Sequence, residues 1–290
     1  MRAFFFGLGL SAEASAHFMR QCDDSADVSG TVRTSAKADL LTHRSLSALL
    51  FDGTGPGPEI GPALARGVTH VIQSIPPDEA GDPVLRHHRA ALDAAPDLQW
   101  LCYYSTVGVY GDFGGAWIDE TAPLVPRNMR SDRRVLAEAE WRAYAEARGV
   151  SLCILRLAGI YGPGRSGFDK LRAGTARRIV KPGQVFNRIH VADIARVTGL
   201  AARRNLAGTF NLADDEPTPP QDVLAHAAAL AGLAVPPAEP FETAAMTPMQ
   251  KSFYRDNKRV SNRAIKAALG IELLYPSYRE GLAAVFKEEQ

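Results

Sequence analysis

The residues that could do chemistry begin near the start of the chain. Gly7, Gly9 and Ala12 stand in a Gly-x-Gly-x-x-Ala spacing, between the apolar run Arg2–Phe6 and a helical stretch, Ala12–Gln21. In a strand–turn–helix that holds a dinucleotide, each small residue has a task. Gly7 allows the tight turn, Gly9 lets a pyrophosphate approach the backbone, and Ala12 keeps helix and strand close. The helix start at Leu10–Ala12 would offer unpaired N–H groups and a positive dipole end to the phosphates. The competing reading is an ordinary tight turn.

The end of the next strand should decide which dinucleotide. An NAD site carries an acid there for the ribose hydroxyls. This chain reads Arg33-Thr34-Ser35-Ala36-Lys37, with no acid. Arg33 can clamp a 2′-phosphate, with help from Ser35 and Lys37, so NADP is expected ahead of NAD. A solvated basic strand end is the alternative.

Other reactive residue types are sparse. Cys22, Cys102 and Cys153 show no metal-type spacing, and the last two sit in apolar runs. Buried thiols in a reducing cytoplasm are expected. His87 and His88 have no ligand partners at metal spacing, so no metal is expected. Arg2, the run Ala3–Leu10 and Ala14-Ser15-Ala16 look faintly like a secretory signal, but its basic region is one Arg and Glu13 interrupts it.

The elements that must position these residues follow from the patterning. Short apolar runs at Arg2–Phe6, Gly30–Arg33, Ala48–Phe51, Thr69–Gln73, Gln99–Tyr104, Ser151–Arg156 and Gly208–Leu212 read as strands. Helical patterns cover Ala12–Gln21, Pro83–Ala94, Ser131–Ala147, Pro217–Gly232 and Arg259–Leu269. Strands separated by helices imply an α/β fold, a Rossmann-type doubly wound parallel sheet with helices on both faces. The 290 residues read as a single unit, with its core mainly in 1–162 and 189–215 and an interleaved C-terminal cap from 163–188 and 216–275. Lys+Arg of 33 against Asp+Glu of 32 gives no electrostatic footprint for nucleic acid. No apolar run reaches the roughly 18 residues of a membrane span.

Further runs carry a resemblance. Tyr104-Ser105-Thr106-Val107-Gly108-Val109-Tyr110-Gly111, Arg156-Leu157-Ala158-Gly159-Ile160-Tyr161-Gly162, Ile189-His190-Val191-Ala192-Asp193 and Phe210-Asn211-Leu212 occur in order along nearly the whole chain. With the glycine turn, they resemble the extended short-chain dehydrogenase/reductases, the NAD-dependent epimerase/dehydratase group. Ser74-Ile75-Pro76-Pro77, Gly81-Asp82-Pro83 and Tyr275-Pro276-Ser277-Tyr278 resemble an atypical, YeeZ-like subgroup. The resemblance implies that Ser74, Ile75, Leu157, Ala158 and Gly159 line the cofactor. It also implies that Thr106 is the catalytic hydroxyl toward substrate.

The same register exposes a departure. The family's acid/base pair is Tyr-x-x-x-Lys, and here those positions are Arg130 and Arg134. Neither can relay a proton, because a guanidinium keeps its proton at any working pH. Arg134 could still hold ribose hydroxyls or a phosphate. Substitutes for the proton step are Tyr110, Tyr161, His190 and Tyr104, each with a packing role as the plainer reading.

The expectation is therefore a cytoplasmic, NADP-dependent oxidoreductase or epimerase-like enzyme on a small carbonyl or sugar-like compound. A locally basic stretch, Arg165 to Arg188, is compatible with an anionic substrate, and a surface of scattered solvated cations is the equal or better alternative. A non-catalytic NADP(H) sensor is the alternative. The resemblance also makes a homodimer through helices near 83–95 and 131–147 compatible, without requiring it.

Overall fold

The computed structural model describes all 290 residues. In chain order the strands are β1 (Arg2–Phe6), β2 (Asp27–Val32), β3 (Ser47–Leu50), β4 (His70–Gln73), β5 (Trp100–Thr106), β6 (Trp117–Ile118), β7 (Ser151–Leu157), β8 (Gly159–Tyr161), β9 (Arg178–Val180), β10 (Arg188–His190), β11 (Gly208–Leu212), β12 (Ala238–Pro240) and β13 (Arg259–Val260). The helices are α1 (Leu10–Cys22), α2 (Ser35–His43), α3 (Ile60–Leu64), α4 (Pro83–Asp93), α5 (Met129–Arg148), α6 (Phe168–Arg172), α7 (Val191–Arg203), α8 (Pro220–Leu230), α9 (Pro248–Phe253), α10 (Arg263–Leu269) and α11 (Tyr278–Glu288).

The chain divides into two compact units. One comprises 1–106, 128–156 and 194–210, and the other 107–127, 157–193 and 211–290. The second unit takes in more of the chain than the cap read from sequence, including the segment after β5.

A seven-stranded parallel sheet runs in the order β11-β7-β5-β4-β1-β2-β3. Alternation along the strands explains why both faces are covered. Phe4, Phe6, Val71, Leu101 and Tyr103 point to one face, where they pack with Ile60, Leu64, Val84, Leu85, Leu92, Ala137 and Trp141 of α3, α4 and α5. On the other face Tyr104 gives its hydroxyl to a 2.8 Å bond with Ser15 of α1 and another with Thr198 of α7. His70 Nε2 meets the carbonyl of Ala202 and Trp100 Nε1 that of Leu206 on the same side. The strand order reverses between β1 and β4, the place where an open α/β sheet leaves a crevice at its carboxyl ends.

A buried ion pair ties α5 to the sheet. Arg156 of β7 donates through Nε and Nη2 to Glu138 at 3.0 and 2.7 Å, and Ser105 donates to the same carboxylate at 2.6 Å. Cys102 and Cys153 lie buried on the neighbouring strands β5 and β7, whereas Cys22 is exposed. Burial pushes the Cys102 thiol well above its ordinary range.

The second unit is built from three two-stranded parallel pairs, β8–β10, β9–β12 and β6–β13. Tyr161, Phe168, Ala227, Tyr278, Leu282 and Val285 form its main core. Asp193 accepts the backbone N–H groups of Leu274 and Tyr275, pinning the C-terminal segment. The helix expected over 259–269 is shorter than the periodicity suggested. Arg259–Val260 is strand, because it pairs with Trp117–Ile118, and α10 begins only after Asn262. Asn262 instead spends its side-chain amide on the carbonyl of Ala213 and on Asp215.

Candidate dinucleotide and active site

The glycine turn sits between β1 and α1. Gly7 has a φ of +86°, a conformation that a side chain would strain. A Cβ there would also lie 2.8 Å from Ile75 Cγ1 and 2.9 Å from Ser74 Oγ. Gly9 differs, because a Cβ there would meet nothing within 4 Å. It is the N-cap of α1 and makes no side-chain cap bond, so the first turn's N–H groups are left for an outside acceptor. Thr31 of β2 holds the turn, accepting from Gly7 N at 2.9 Å through Oγ1 and from Leu8 N at 2.7 Å through its carbonyl. Leu10 is exposed at the helix start, and Ala12 is buried against the sheet. An open backbone cradle with uncapped amides fits a pyrophosphate.

At the end of β2, Arg33 is exposed, and its side chain enters no ion pair or hydrogen bond. Ser35, also exposed, is the first residue of α2, and Thr34 caps that helix by accepting from Lys37 N. Lys37 is differently placed from the sequence expectation. Its Nζ is 2.7 Å from Glu13, which also takes Arg44 at 2.7 Å. Burial alone would raise the Glu13 carboxyl, but these two cations hold it below its ordinary value. Glu13 therefore neutralises Lys37 and Arg44, and Arg33 is left as the uncompensated cation at the strand end.

Ser74 and Ile75 follow β4 and lie against the turn. Ser74 Oγ donates to the carbonyl of Gly7 at 2.5 Å, and Ile75 N donates to Gln73 Oε1 at 2.9 Å. Thr106 is the last residue of β5 and is half-buried. Arg134 reaches the same strand end from α5. Its Nη1 donates to the Tyr104 carbonyl at 2.7 Å and to the Tyr103 hydroxyl at 3.0 Å, with the guanidinium 5.6 Å from the Tyr103 ring. Nε and Nη2 remain uncommitted. Arg130, one turn earlier, is exposed.

The proton-transfer candidates are all buried. Tyr110 is fully buried and donates its hydroxyl to Asn211 Oδ1 at 2.7 Å, a packing geometry. Tyr104 is committed to Ser15 and Thr198 as above, and Tyr161 to the carbonyl of Ser277 at 3.3 Å. His190 accepts from Ala192 N through Nδ1, and burial lowers its pKa to about 4. Leu157 and Ala158 are buried and Gly159 exposed in the second unit, where Ala158 N bonds to Leu212 O.

Most of the basic stretch is consumed internally. Arg177 pairs with Glu239, Lys181 donates to the Tyr254 carbonyl, and half-buried Arg188 donates to the carbonyls of Phe186 and Thr218. Only Arg165 and Lys170 of that stretch keep uncommitted charges. Sequence reasoning missed Thr31, Glu13 and Gln73 as supports of the site. Nothing local signals them, because each acts on residues far along the chain.

A family model described as the NAD dependent epimerase/dehydratase family matches residues 64–213. The chain belongs to that family. A conserved protein of unknown function from Silicibacter pomeroyi is 44% identical, covering 99% of this chain and 98% of its own, with a TM-score of 0.89. At the level of fold alone, the chain is similar to human epimerase family protein SDR39U1 with NADPH (17% identical, 99% of each chain, TM-score 0.72). It is likewise similar to a Thermus thermophilus UDP-glucose 4-epimerase with NAD (18% identical, 99% of each chain, TM-score 0.74). No curated protein matches. No helix is long and apolar enough to cross a membrane, and no cluster of metal-ligating side chains is present.

Proposed function

We propose that this protein binds NADP(H) and acts as an atypical short-chain reductase or epimerase-like enzyme on a small carbonyl or sugar-like compound. The observation that carries the cofactor reading is the uncompensated Arg33 at the end of β2, beside the exposed Ser35 at the start of α2. A 2′-phosphate there gains a guanidinium and the helix N-terminus, whereas NADH offers no charge in return. Gly7, Gly9, Leu10 and Ala12 would cradle the pyrophosphate, and Ser74 and Ile75 would flank it. The bound dinucleotide would supply the hydride. Thr106 would orient the substrate oxygen, and Arg134 would hold the nicotinamide-side ribose with Nε and Nη2.

A second reading is favoured by a specific observation. The two family acid/base positions carry arginines, and Tyr104, Tyr110, Tyr161 and His190 are all buried. That arrangement suits a non-catalytic NADP(H) sensor. The free thiols fit a reducing, cytoplasmic compartment under either reading.

Calorimetric titration with NADPH, NADP⁺, NADH and NAD⁺ tests the cofactor reading. Tighter binding of the phosphorylated pair, abolished in Arg33→Ala, is expected. Equal affinity for NADH and NADPH in the wild type would overturn it. Turnover of bound NADPH with a carbonyl panel, reduced in Thr106→Ala, separates enzyme from sensor.

A further inference from the structure

A buried chain of hydrogen bonds runs from α5 to the glycine turn. Trp141 donates Nε1–H to Asp82 Oδ2 at 3.0 Å, and Gln73 Nε2 donates to the same oxygen at 2.8 Å. Asp82 Oδ1 accepts from Val84 N and Leu85 N, capping α4. The three side chains are 1%, 2% and 1% exposed for Trp141, Asp82 and Gln73. Chemistry fixes the Gln73 amide: only its NH₂ can face a carboxylate that already accepts an indole N–H, so its oxygen must face Ile75 N. That bond sets the backbone at Ile75. Ser74, the residue between, donates to the Gly7 carbonyl, and Ile75 Cγ1 closes the space beside Gly7.

Helix capping needs only Oδ1 of Asp82. The second oxygen, with two side-chain donors, is committed elsewhere. Gln73 is the last residue of β4. It bridges the α4 cap to the segment that touches the turn.

We infer that Trp141, Asp82 and Gln73 are positioning residues that fix Ser74–Ile75 against the Gly7 turn, and so set dinucleotide affinity without touching the ligand. The inference rests on the dinucleotide reading above. It predicts an effect confined to ligands that reach the turn. Adenosine 2′-phosphate carries the group that Arg33 would hold but no pyrophosphate.

Calorimetry of NADPH and adenosine 2′-phosphate on wild type, Gln73→Leu and Trp141→Phe provides the test. Gln73→Leu is expected to weaken NADPH roughly tenfold, the scale of one lost buried hydrogen bond, while adenosine 2′-phosphate changes by less than about twofold. Trp141→Phe removes a single donor and keeps a ring, so it serves if Gln73→Leu fails to fold. It should shift NADPH in the same direction by roughly threefold, a smaller loss because Gln73 still reaches Asp82. Equal weakening of both ligands, or unchanged NADPH affinity in a folded variant, would overturn the positioning role. A wild type that binds neither ligand would overturn the dinucleotide reading and this inference with it. Binding of both by wild type with no effect of either variant would overturn the inference alone.

Discussion

Asp214 should destabilise the protein at neutral pH, and replacing it should reveal by how much. Its side chain is 1% exposed, and neither carboxylate oxygen meets a donor at hydrogen-bond geometry. Burial pushes its pKa up to about 8, against the opposing pull of the Arg188 guanidinium and the Glu216 amide. In the unfolded chain the same group returns to its ordinary 3.8. The folded state therefore holds a proton that the unfolded state releases, and stability falls as pH rises from about 4 to about 8. At 1.36 kcal/mol per pH unit of mismatch, the cost is about 2 kcal/mol at pH 5 and about 4 kcal/mol at pH 7. It levels off above pH 8. Asp214→Asn has no such proton to lose, and any fixed cost of the amide is independent of pH. Urea unfolding of both proteins from pH 4 to pH 9 should show the variant gaining on wild type by about 2–3 kcal/mol between pH 5 and pH 7. A difference that stays flat across that range would refute the reasoning.

Gly7→Ala should cost about 2–4 kcal/mol, from left-handed backbone strain plus the clash with Ile75, measured as a fall in the denaturation midpoint. Gly9→Ala should leave stability within about 0.5 kcal/mol, because its methyl enters open space, yet should abolish NADPH binding in the same calorimeter. Glu138→Leu strands the buried Arg156 and should cost about 3–5 kcal/mol by urea unfolding, with partial recovery in the double variant Glu138→Leu/Arg156→Met. His88 is packed between Phe6 and Phe51, and burial lowers its pKa to about 4, so it folds neutral. Its contribution is present above pH 6.5 and lost as pH falls toward 4. His88→Phe should therefore remove about 2 kcal/mol of acid sensitivity at pH 5, read by thermal melts between pH 7 and pH 4.5.

The sheet was legible because its strands are short apolar runs bounded by glycine and polar residues. Burial on both faces requires that pattern, and periodicity alone reports it. The glycine turn was legible for a different reason, since spacing of small residues is a local signal for a local geometry. Residues 259–269 were not legible, because Arg259–Val260 becomes strand only by meeting Trp117–Ile118, more than a hundred residues away. Lys37 looked available because its partner, Glu13, lies in a different helix. The basic stretch misled similarly: Arg177, Lys181 and Arg188 read as free cations until the chain folds their acceptors onto them. Charge patterns describe side chains one at a time, and ion pairing is a property of two.

The distribution of the three thiols has a practical consequence. Cys22 is exposed, while Cys102 and Cys153 lie on the adjacent central strands β5 and β7. A thiol reagent added to the native protein would mark Cys22 at once. The other two become reactive only when the middle of the sheet parts, since both are buried away from the reagent and burial leaves the Cys102 thiol almost no thiolate. The unmodified chain thus contains its own stopwatch for unfolding. The slow labelling phase counts openings of the sheet centre, and any ligand that binds only the folded state should lengthen it by the factor 1 + L/Kd, where L is the free ligand concentration.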